Sequence, residues 1–175
     1  MLLIRFDRML KSRNPILAAV VAGVVLFAAF ALWSAGPAAP AVTFVSIKGE
    51  KITTADLRGK VVLVNFWATD CATCIKEMPE VVATYNKYQA QGFETIAVAM
   101  RHDPPNYVLN YVEKNKLPFK VALDPLGELA RAFGEVKLTP TTFIIDKQGK
   151  LVMRILGEPD FAKLHALLEE KLKET

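Results

Sequence analysis

The only two cysteines of the chain, Cys71 and Cys74, are separated by two residues and directly follow an apolar run over residues 61–67. That run is apolar at nearly every position, which predicts a strand buried on both faces. From Cys71 to about Gln91 the apolar residues recur at helical spacing. The pattern therefore predicts a strand that delivers two thiols to the N-terminus of a helix.

Two cysteines at this spacing also have three simpler interpretations: buried core thiols, a structural disulfide, or half of a metal site. A zinc site usually needs four ligands, and the chain can add only His102 and His165, whose spacing does not group them with the cysteines. A structural disulfide here would close a very small loop and constrain little of the unfolded chain. A redox pair uses the features present, because the helix N-terminus favours a Cys71 thiolate and Cys74, one turn inside, can resolve a mixed disulfide.

Residues 15–35 form a run of 21 residues without a charge. As a helix this run spans about 31 Å at ~1.5 Å per residue, close to the roughly 30 Å hydrocarbon core of a bilayer. Trp33 lies near one end, where interfacial aromatic residues collect. A cleaved signal sequence is the alternative, but its apolar region is usually about 7–15 residues long. The run is therefore interpreted as a single transmembrane anchor.

The net charge of +4 is concentrated at the N-terminus. Residues 1–40 carry four of the 22 basic and one of the 18 acidic residues, so this part has a net charge of +3 and the remainder +1. A nucleic-acid surface would need a basic patch on the folded domain, and is not expected. The positive-inside rule leaves residues 1–14 in the cytoplasm and exports the rest, so we expect a bacterial inner-membrane protein with its domain in the periplasm or another oxidising space.

Beyond a short linker at 36–41, residues 42–175 are predicted to form one α/β domain. Strands alternate with helices, which predicts a mostly parallel central sheet flanked by helices, preceded by an N-terminal β-hairpin and closed by an antiparallel hairpin. The predicted strands cover residues 42–47, 51–53, 61–67, 93–100, 119–123, 141–146 and 151–156. The predicted helices cover residues 71–91, 106–115 and 126–133, with a last helix opened by Pro159 and a helical turn at 54–60.

The segment from Val64 to Pro79, Val-Asn-Phe-Trp-Ala-Thr-Asp-Cys-Ala-Thr-Cys-Ile-Lys-Glu-Met-Pro, resembles the active-site segment of the thioredoxin-like fold. More narrowly, it resembles the membrane-anchored thiol–disulfide interchange proteins of bacteria, the TlpA/ResA-like group. The resemblance covers about residues 42–173. It implies a thioredoxin-like fold with a mixed sheet and a thiol–disulfide oxidoreductase in which Cys71 and Cys74 form the redox-active disulfide.

The resemblance also assigns further site residues. In the fold, a proline with a cis peptide bond faces the dithiol, and here it would be Pro140. Thr139 before it would offer backbone hydrogen bonds to an extended substrate chain. Trp67 would lie beside the dithiol and is grouped with Thr139 and Pro140 as substrate-binding. An ordinary proline at the start of a strand is the alternative for Pro140.

Glu77 is the candidate acid–base group. It lies one turn past Cys74, at the edge of the buried face of the predicted helix. A half-buried carboxyl group there would have a raised pKa and could shuttle the proton of the resolving thiol. Many thioredoxins carry a buried Asp on the preceding strand, but this chain has Asn65, which moves the acid–base task toward Glu77. A solvated helix Glu is the alternative.

The chain departs from the family pattern at the dithiol. Asp70 stands where Trp is usual, and its charge opposes a Cys71 thiolate, although a carboxylate is also suited to a helix start. Ala72-Thr73 lacks the proline often found between the cysteines, so the direction of electron flow is not inferred. His102, at the end of a predicted parallel strand, is a weaker candidate for the site; His165, Arg101 and Asp103 are interpreted as core or loop residues.

The sequence thus predicts an extracytoplasmic, membrane-anchored thiol–disulfide oxidoreductase without a prosthetic group or metal. By resemblance, its partners would be a membrane electron donor and protein thiols, such as apocytochrome c or the clients of redox homeostasis. The alternatives are a peroxiredoxin-like peroxidase, a copper carrier and a domain that only docks a partner. The first would want Thr-x-x-Cys, whereas Thr69 is two residues before Cys71, and the second favours Cys-x-x-x-Cys.

Overall fold

A computed structural model of the chain describes residues 19–26 and 36–174. Residues 19–26 are helical. The rest of the predicted anchor at 15–35 and the basic segment at 1–14 lie outside the described residues. Within the described ranges, no helix combines the length and the apolar character needed to cross a membrane.

Five strands form the central sheet in the order β5-β4-β3-β6-β7, and two more form a separate hairpin. Strands β3, β4 and β5 are parallel, whereas β6 runs antiparallel to β3, and β7 antiparallel to β6. The mixed sheet confirms the predicted α/β class. The strands are β1 Thr43–Val45, β2 Lys51–Thr53, β3 Val61–Trp67, β4 Phe93–Ala99, β5 Lys120–Leu123, β6 Thr141–Ile145 and β7 Leu151–Leu156. The helices are α1 Ala72–Tyr88, α2 Pro105–Asn115, α3 Glu128–Ala132 and α4 Phe161–Lys173.

Strand β3 is buried along its whole length because both faces of the sheet are covered. Its side chains alternate between the two faces, as the pleat requires. Val62, Val64 and Phe66 belong to one apolar cluster. The same cluster contains Phe133, at the end of α3, and Phe143 of β6. Trp67, at an odd position, joins the opposite cluster with Cys74. The same alternation places Asn65 on the Trp67 face, toward α1.

Helix α1 begins after its N-cap, Cys71, and continues through Pro79 to Tyr88. A short 3₁₀ turn, Gln89–Gln91, extends it, and Gly92 then adopts a left-handed φ of 91°. The predicted helix over 71–91 is thus confirmed, and Pro79 does not end it. The buried stripe of α1 consists of Cys74, Glu77, Met78, Val81, Thr84 and Tyr88.

The compact unit begins at Pro37, ahead of the predicted start at residue 42. Ala38 forms an isolated antiparallel bridge with Lys150. The N–H of Ala39 donates to the carbonyl of Gly149 at 2.9 Å, and the N–H of Leu151 donates to the carbonyl of Pro37 at 2.8 Å. Most of the predicted linker therefore belongs to the domain, because its backbone pairs with the β6–β7 hairpin. The predicted helical turn at 54–60 is a series of turns instead.

Candidate active site

The two cysteines lie where β3 ends and α1 begins. Cys71 is the N-cap of α1, and its Sγ accepts a 3.2 Å hydrogen bond from the N–H of Cys74. A disulfide joins the two residues. Cys71 is partly exposed, whereas Cys74 is fully buried. An incoming thiolate can therefore reach the sulfur of Cys71 but not that of Cys74.

The Thr139–Pro140 peptide bond is cis, as the resemblance implied. In the antiparallel pairing of β3 with β6, Phe66 lies opposite Thr141, so Pro140 is level with the end of β3. The carbonyl of Pro140 accepts a hydrogen bond from the N–H of Gly157. Thr139 is half-buried, and among the described residues its backbone N–H and carbonyl have no hydrogen-bond partner. The segment thus presents the unpaired N–H and carbonyl of Thr139 before β6, level with the end of β3 from which the chain continues to Cys71.

Trp67 is fully buried in the cluster that also contains Cys74 and Met78. Its ring centroid lies 5.2 Å from that of Tyr111. Among the described residues, its indole Nε1 has no hydrogen-bond partner. Trp67 therefore packs beneath the dithiol, and it is too deeply buried to contact a client directly, in contrast to the sequence-based grouping of Trp67 with substrate-binding residues.

Glu77 is buried with only 1 % of its surface exposed, more deeply than the half-buried position that the helical pattern predicts. Its Oε1 accepts a 3.0 Å hydrogen bond from Nδ2 of Asn65, and the same nitrogen lies 3.0 Å from Oγ1 of Thr142. Its Oε2 is buried without a partner among the described residues. Burial raises the pKa of Glu77 to about 7; the hydrogen bond from Asn65 opposes this shift and the negative charge of Glu158 adds to it. Glu77 can thus gain or lose a proton near neutral pH.

The loop after β4 holds the segment that precedes Cys71. Both carboxylate oxygens of Asp103 accept hydrogen bonds from Thr69, one from its N–H at 2.6 Å and one from its hydroxyl at 2.5 Å. Asp103 lies in this loop, as predicted, but its side chain is buried and bound to Thr69. The sequence carried no signal for this contact, because neither residue belongs to a periodic element.

His102 lies beside the dithiol segment, as its place after β4 suggested. Its Nε2 is 3.6 Å from Oδ1 of Asp70, and both side chains are exposed. Arg101 is exposed as well. His165 lies elsewhere, with Nε2 2.9 Å from the hydroxyl of Thr84 between α4 and α1. Of the two histidines, only His102 is placed near the cysteines.

No group of three or more His, Cys, Asp or Glu side chains is arranged to hold a metal ion within residues 19–26 and 36–174. The described dithiol, the buried carboxyl group and the cis-proline segment instead form a site suited to disulfide exchange.

Comparisons with known proteins agree with this geometry. The redoxin family model matches residues 34–168. The chain is 40% identical over 135 residues to the thiol-disulfide oxidoreductase ResA of Bacillus thuringiensis subsp. konkukian, covering 77% of each chain. It is 33% identical over 132 residues to ResA of Bacillus subtilis, covering 75% of this chain and 73% of that protein.

Solved structures show the same fold. A putative thioredoxin from Neisseria meningitidis is 36% identical, with a TM-score of 0.75, over 80% of this chain and 93% of that one. A putative thiol:disulfide interchange protein DsbE from Chlorobium tepidum is 30% identical, with a TM-score of 0.71, over 79% of this chain and 98% of that one. The chain therefore belongs to the redoxin family and is a thioredoxin-like thiol–disulfide oxidoreductase.

Proposed function

We propose that this protein is a membrane-anchored, extracytoplasmic oxidoreductase that exchanges its Cys71–Cys74 disulfide with protein thiols. The observation that carries the proposal is the asymmetry of the pair: Cys71 is partly exposed at a helix N-terminus, and Cys74 is buried one turn inside. Such an asymmetry separates the sulfur that meets the client from the sulfur that resolves the intermediate.

The exchange proceeds through two displacements. A client thiolate attacks the Sγ of Cys71, the Cys71–Cys74 bond breaks, and Cys74 leaves as a thiolate that takes up a proton. A second client thiolate then attacks the client sulfur of the mixed disulfide, which releases an oxidised client and a Cys71 thiolate. The two client thiols lose two electrons and the protein dithiol gains them. The same steps in reverse reduce a client disulfide.

Glu77 is the proposed proton carrier for Cys74. It lies one turn further along α1 on the same buried stripe, and its pKa is raised by burial to about 7. In the protonated form it can donate to the leaving Cys74 thiolate, and in the ionised form it can accept the Cys74 proton during the reverse reaction.

Thr139 and Pro140 are the proposed docking segment for the client backbone. The unpaired peptide group of Thr139 can form hydrogen bonds with an extended chain, as in strand addition to a sheet edge. The proposal is supported by the pairing of β3 with β6, in which this segment is level with the end of β3, next to the strand–helix junction that carries Cys71.

The proposed anchor is the uncharged run at 15–35, with the domain in the periplasm or another extracytoplasmic space. The proposed partners are a membrane electron donor and protein thiols, including those handled in cytochrome c maturation. The ResA relatives are named thiol-disulfide oxidoreductases, which supports the exchange chemistry.

Trapping of the mixed disulfide tests the exchange. In a Cys74→Ser variant, the Cys71 thiolate should attack a client disulfide and accumulate as a mixed disulfide, with the other client sulfur leaving as a thiolate. A Cys71→Ser variant should form no such adduct. Adducts through both variants in equal yield would contradict the assigned roles. A phosphatase fusion at the C-terminus, active only outside the cytoplasm, tests the topology, and loss of membrane association after removal of residues 1–35 tests the anchor.

The direction of electron flow follows from the reduction potential of the pair. Equilibration of the full-length protein with glutathione gives it: a value near about −120 mV would make the protein an oxidant, and one near about −270 mV a reductant. Hydrogen peroxide consumption tests the peroxidase alternative, and copper titration of the reduced protein tests the copper-carrier alternative.

A further inference from the structure

A cavity of about 440 Å³ opens at the loop after β4, and we refer to it as the cationic cavity. Its floor contains the buried side chains of Met100, Ala130 and Val136. Three permanently charged cations line it, namely Arg101, Arg131 and Lys137, together with His102 and a single acidic residue, Glu135. The permanent charges of the lining therefore sum to a positive excess.

The cationic cavity lies next to the exchange site on two sides. On one side, the loop that carries Arg101 and His102 is bound to the segment before Cys71, through the His102–Asp70 pair and the Asp103–Thr69 hydrogen bonds. On the other side, the chain runs from Lys137 directly into Thr139 and the cis proline. A client docked on Thr139 would extend past this cavity.

The cations of the cavity have no salt-bridge partner within the described part of the chain. None of Arg101, Arg131 and Lys137 takes part in an ion pair there. The opposite flank of the site differs, because Lys76 is neutralised by Glu158 at 2.8 Å. The permanent charge that lines the cationic cavity is therefore mainly positive, and Asp70, 3.6 Å from His102, is the carboxylate at its border toward Cys71.

We propose that the cationic cavity selects clients whose reactive cysteine is flanked by Asp or Glu residues. The inference rests on the proposed exchange function and names the class of polypeptide that this site favours. All three cations are exposed at the mouth of the cavity, so they face the carboxylates of a docked chain and do not enclose a small molecule. Lys137 stands three residues before Pro140, which is at most about 10 Å along an extended chain, so it can face carboxylates of a client docked on this segment.

Exchange rates with matched peptides test the proposal. Three peptides carry one cysteine and differ only in having Glu, Gln or Lys at the positions two and three residues away. In the reaction, a peptide thiolate opens the Cys71–Cys74 disulfide of the full-length protein, and a second one releases the peptide disulfide. Each rate is divided by the fraction of the peptide thiol that is ionised, because neighbouring carboxylates raise the pKa of that thiol.

At about 20 mM salt, the Glu peptide should react about fivefold faster than the Gln peptide and the Lys peptide more slowly than both. At about 1 M salt, where the Debye length is about 3 Å, the three rates should converge. A salt-independent order, or an equal rate for Glu and Gln peptides, would overturn the proposal.

A double variant, Arg101→Gln with Lys137→Gln, should lose the preference for Glu and keep the rate with the Gln peptide. The control changes the same net charge at the other end of the domain: Lys114→Gln with Lys173→Gln, both exposed in the last turns of their helices. The control should keep the fivefold preference. If it loses the preference to the same extent, overall charge is the cause and the proposal fails.

Two further results separate the inference from the proposed function. If no peptide of any charge exchanges with the wild-type protein, the proposed function fails and the selectivity fails with it. If the Gln peptide exchanges but the Glu preference is absent, only the selectivity fails. If millimolar citrate, compared with chloride at equal ionic strength, removes the Glu preference completely, the cavity is a small-anion site and the polypeptide proposal is overturned.

Discussion

Nδ2 of Asn65 donates a 3.0 Å hydrogen bond to Oε1 of Glu77, across the interface between the central strand and the helix that carries Cys74. Both side chains are buried, and Oε2 of Glu77 has no partner among the described residues. Desolvation therefore has the largest effect on the pKa of the Glu77 carboxyl group, and the hydrogen bond from Asn65 only partly offsets this rise. Burial thus makes Glu77 a group that changes its charge within the fold near neutral pH.

The pH dependence of stability should reveal Glu77. Burial raises its pKa from 4.5 to about 7, so the folded state holds the proton more tightly than the unfolded state does. Stability is then unaffected by this group below about pH 4.5, falls as pH rises toward 7, and is lower by about 3 kcal/mol above that. Glu77→Gln should remove this fall.

Urea denaturation of both proteins at several pH values from 4 to 8 measures the difference. The free energy of unfolding of Glu77→Gln relative to wild type should increase across this range, whatever constant cost the amide adds. Parallel curves for the two proteins would show that the carboxyl group titrates normally.

Exchange kinetics should show the proton transfer directly. Glu77→Gln should slow release of the Cys74 thiolate at least about tenfold below pH 7, where the wild-type carboxyl group is protonated and can donate. Above pH 7 the difference should shrink. Stopped-flow measurement of disulfide opening at several pH values gives the profile. Glu80→Gln, at an exposed position of the same helix, is the control and should behave like wild type.

Asn65→Ala should change the titration of Glu77 in a definite direction. The hydrogen bond from Asn65 lowers the pKa of Glu77, so its removal should raise that pKa and move the pH–rate profile to higher pH. Carboxyl-carbon NMR of Glu77 measures the shift. Thr142→Val removes the other partner of Asn65 and leaves the bond to Glu77 in place, so it should move the profile much less. Equal profiles for both variants would contradict the assignment.

Asp103→Ala should destabilise the fold and slow exchange. It removes two hydrogen bonds to Thr69 and leaves a partly buried N–H unpaired, at an expected cost of about 2 kcal/mol. The chain offers a matched control in Asp56, which accepts the same two types of hydrogen bond from Thr53, at 2.8 and 2.6 Å, but at an exposed position.

Urea denaturation and the exchange rate together separate the two aspartates. Asp56→Ala should leave the exchange rate unchanged. If Asp103→Ala alters stability but not the rate of attack on Cys71, then its hydrogen bonds support the fold without positioning the segment before the cysteine.

The redox pair and the outline of the fold could be predicted from local pattern. The apolar run at 61–67 and the helical spacing after Cys71 each depend on residues close in sequence, and both elements form as predicted. The domain begins at Pro37 and not at the predicted residue 42, because Pro37 to Ala39 carry no strand pattern and are held by backbone pairing with the distant β6–β7 hairpin.

The sequence by itself determined the dithiol, the helix that begins at it, and the type of residue available for proton transfer. The tertiary structure decided the burial and the partners of these groups. Glu77 meets Asn65 because the pleat of β3 turns that residue toward α1, and Asp103 meets Thr69 because parallel strands end at one edge of the sheet. The raised pKa of Glu77 and the cationic cavity arise from residues far apart in sequence, since desolvation and net local charge are properties of the assembled fold.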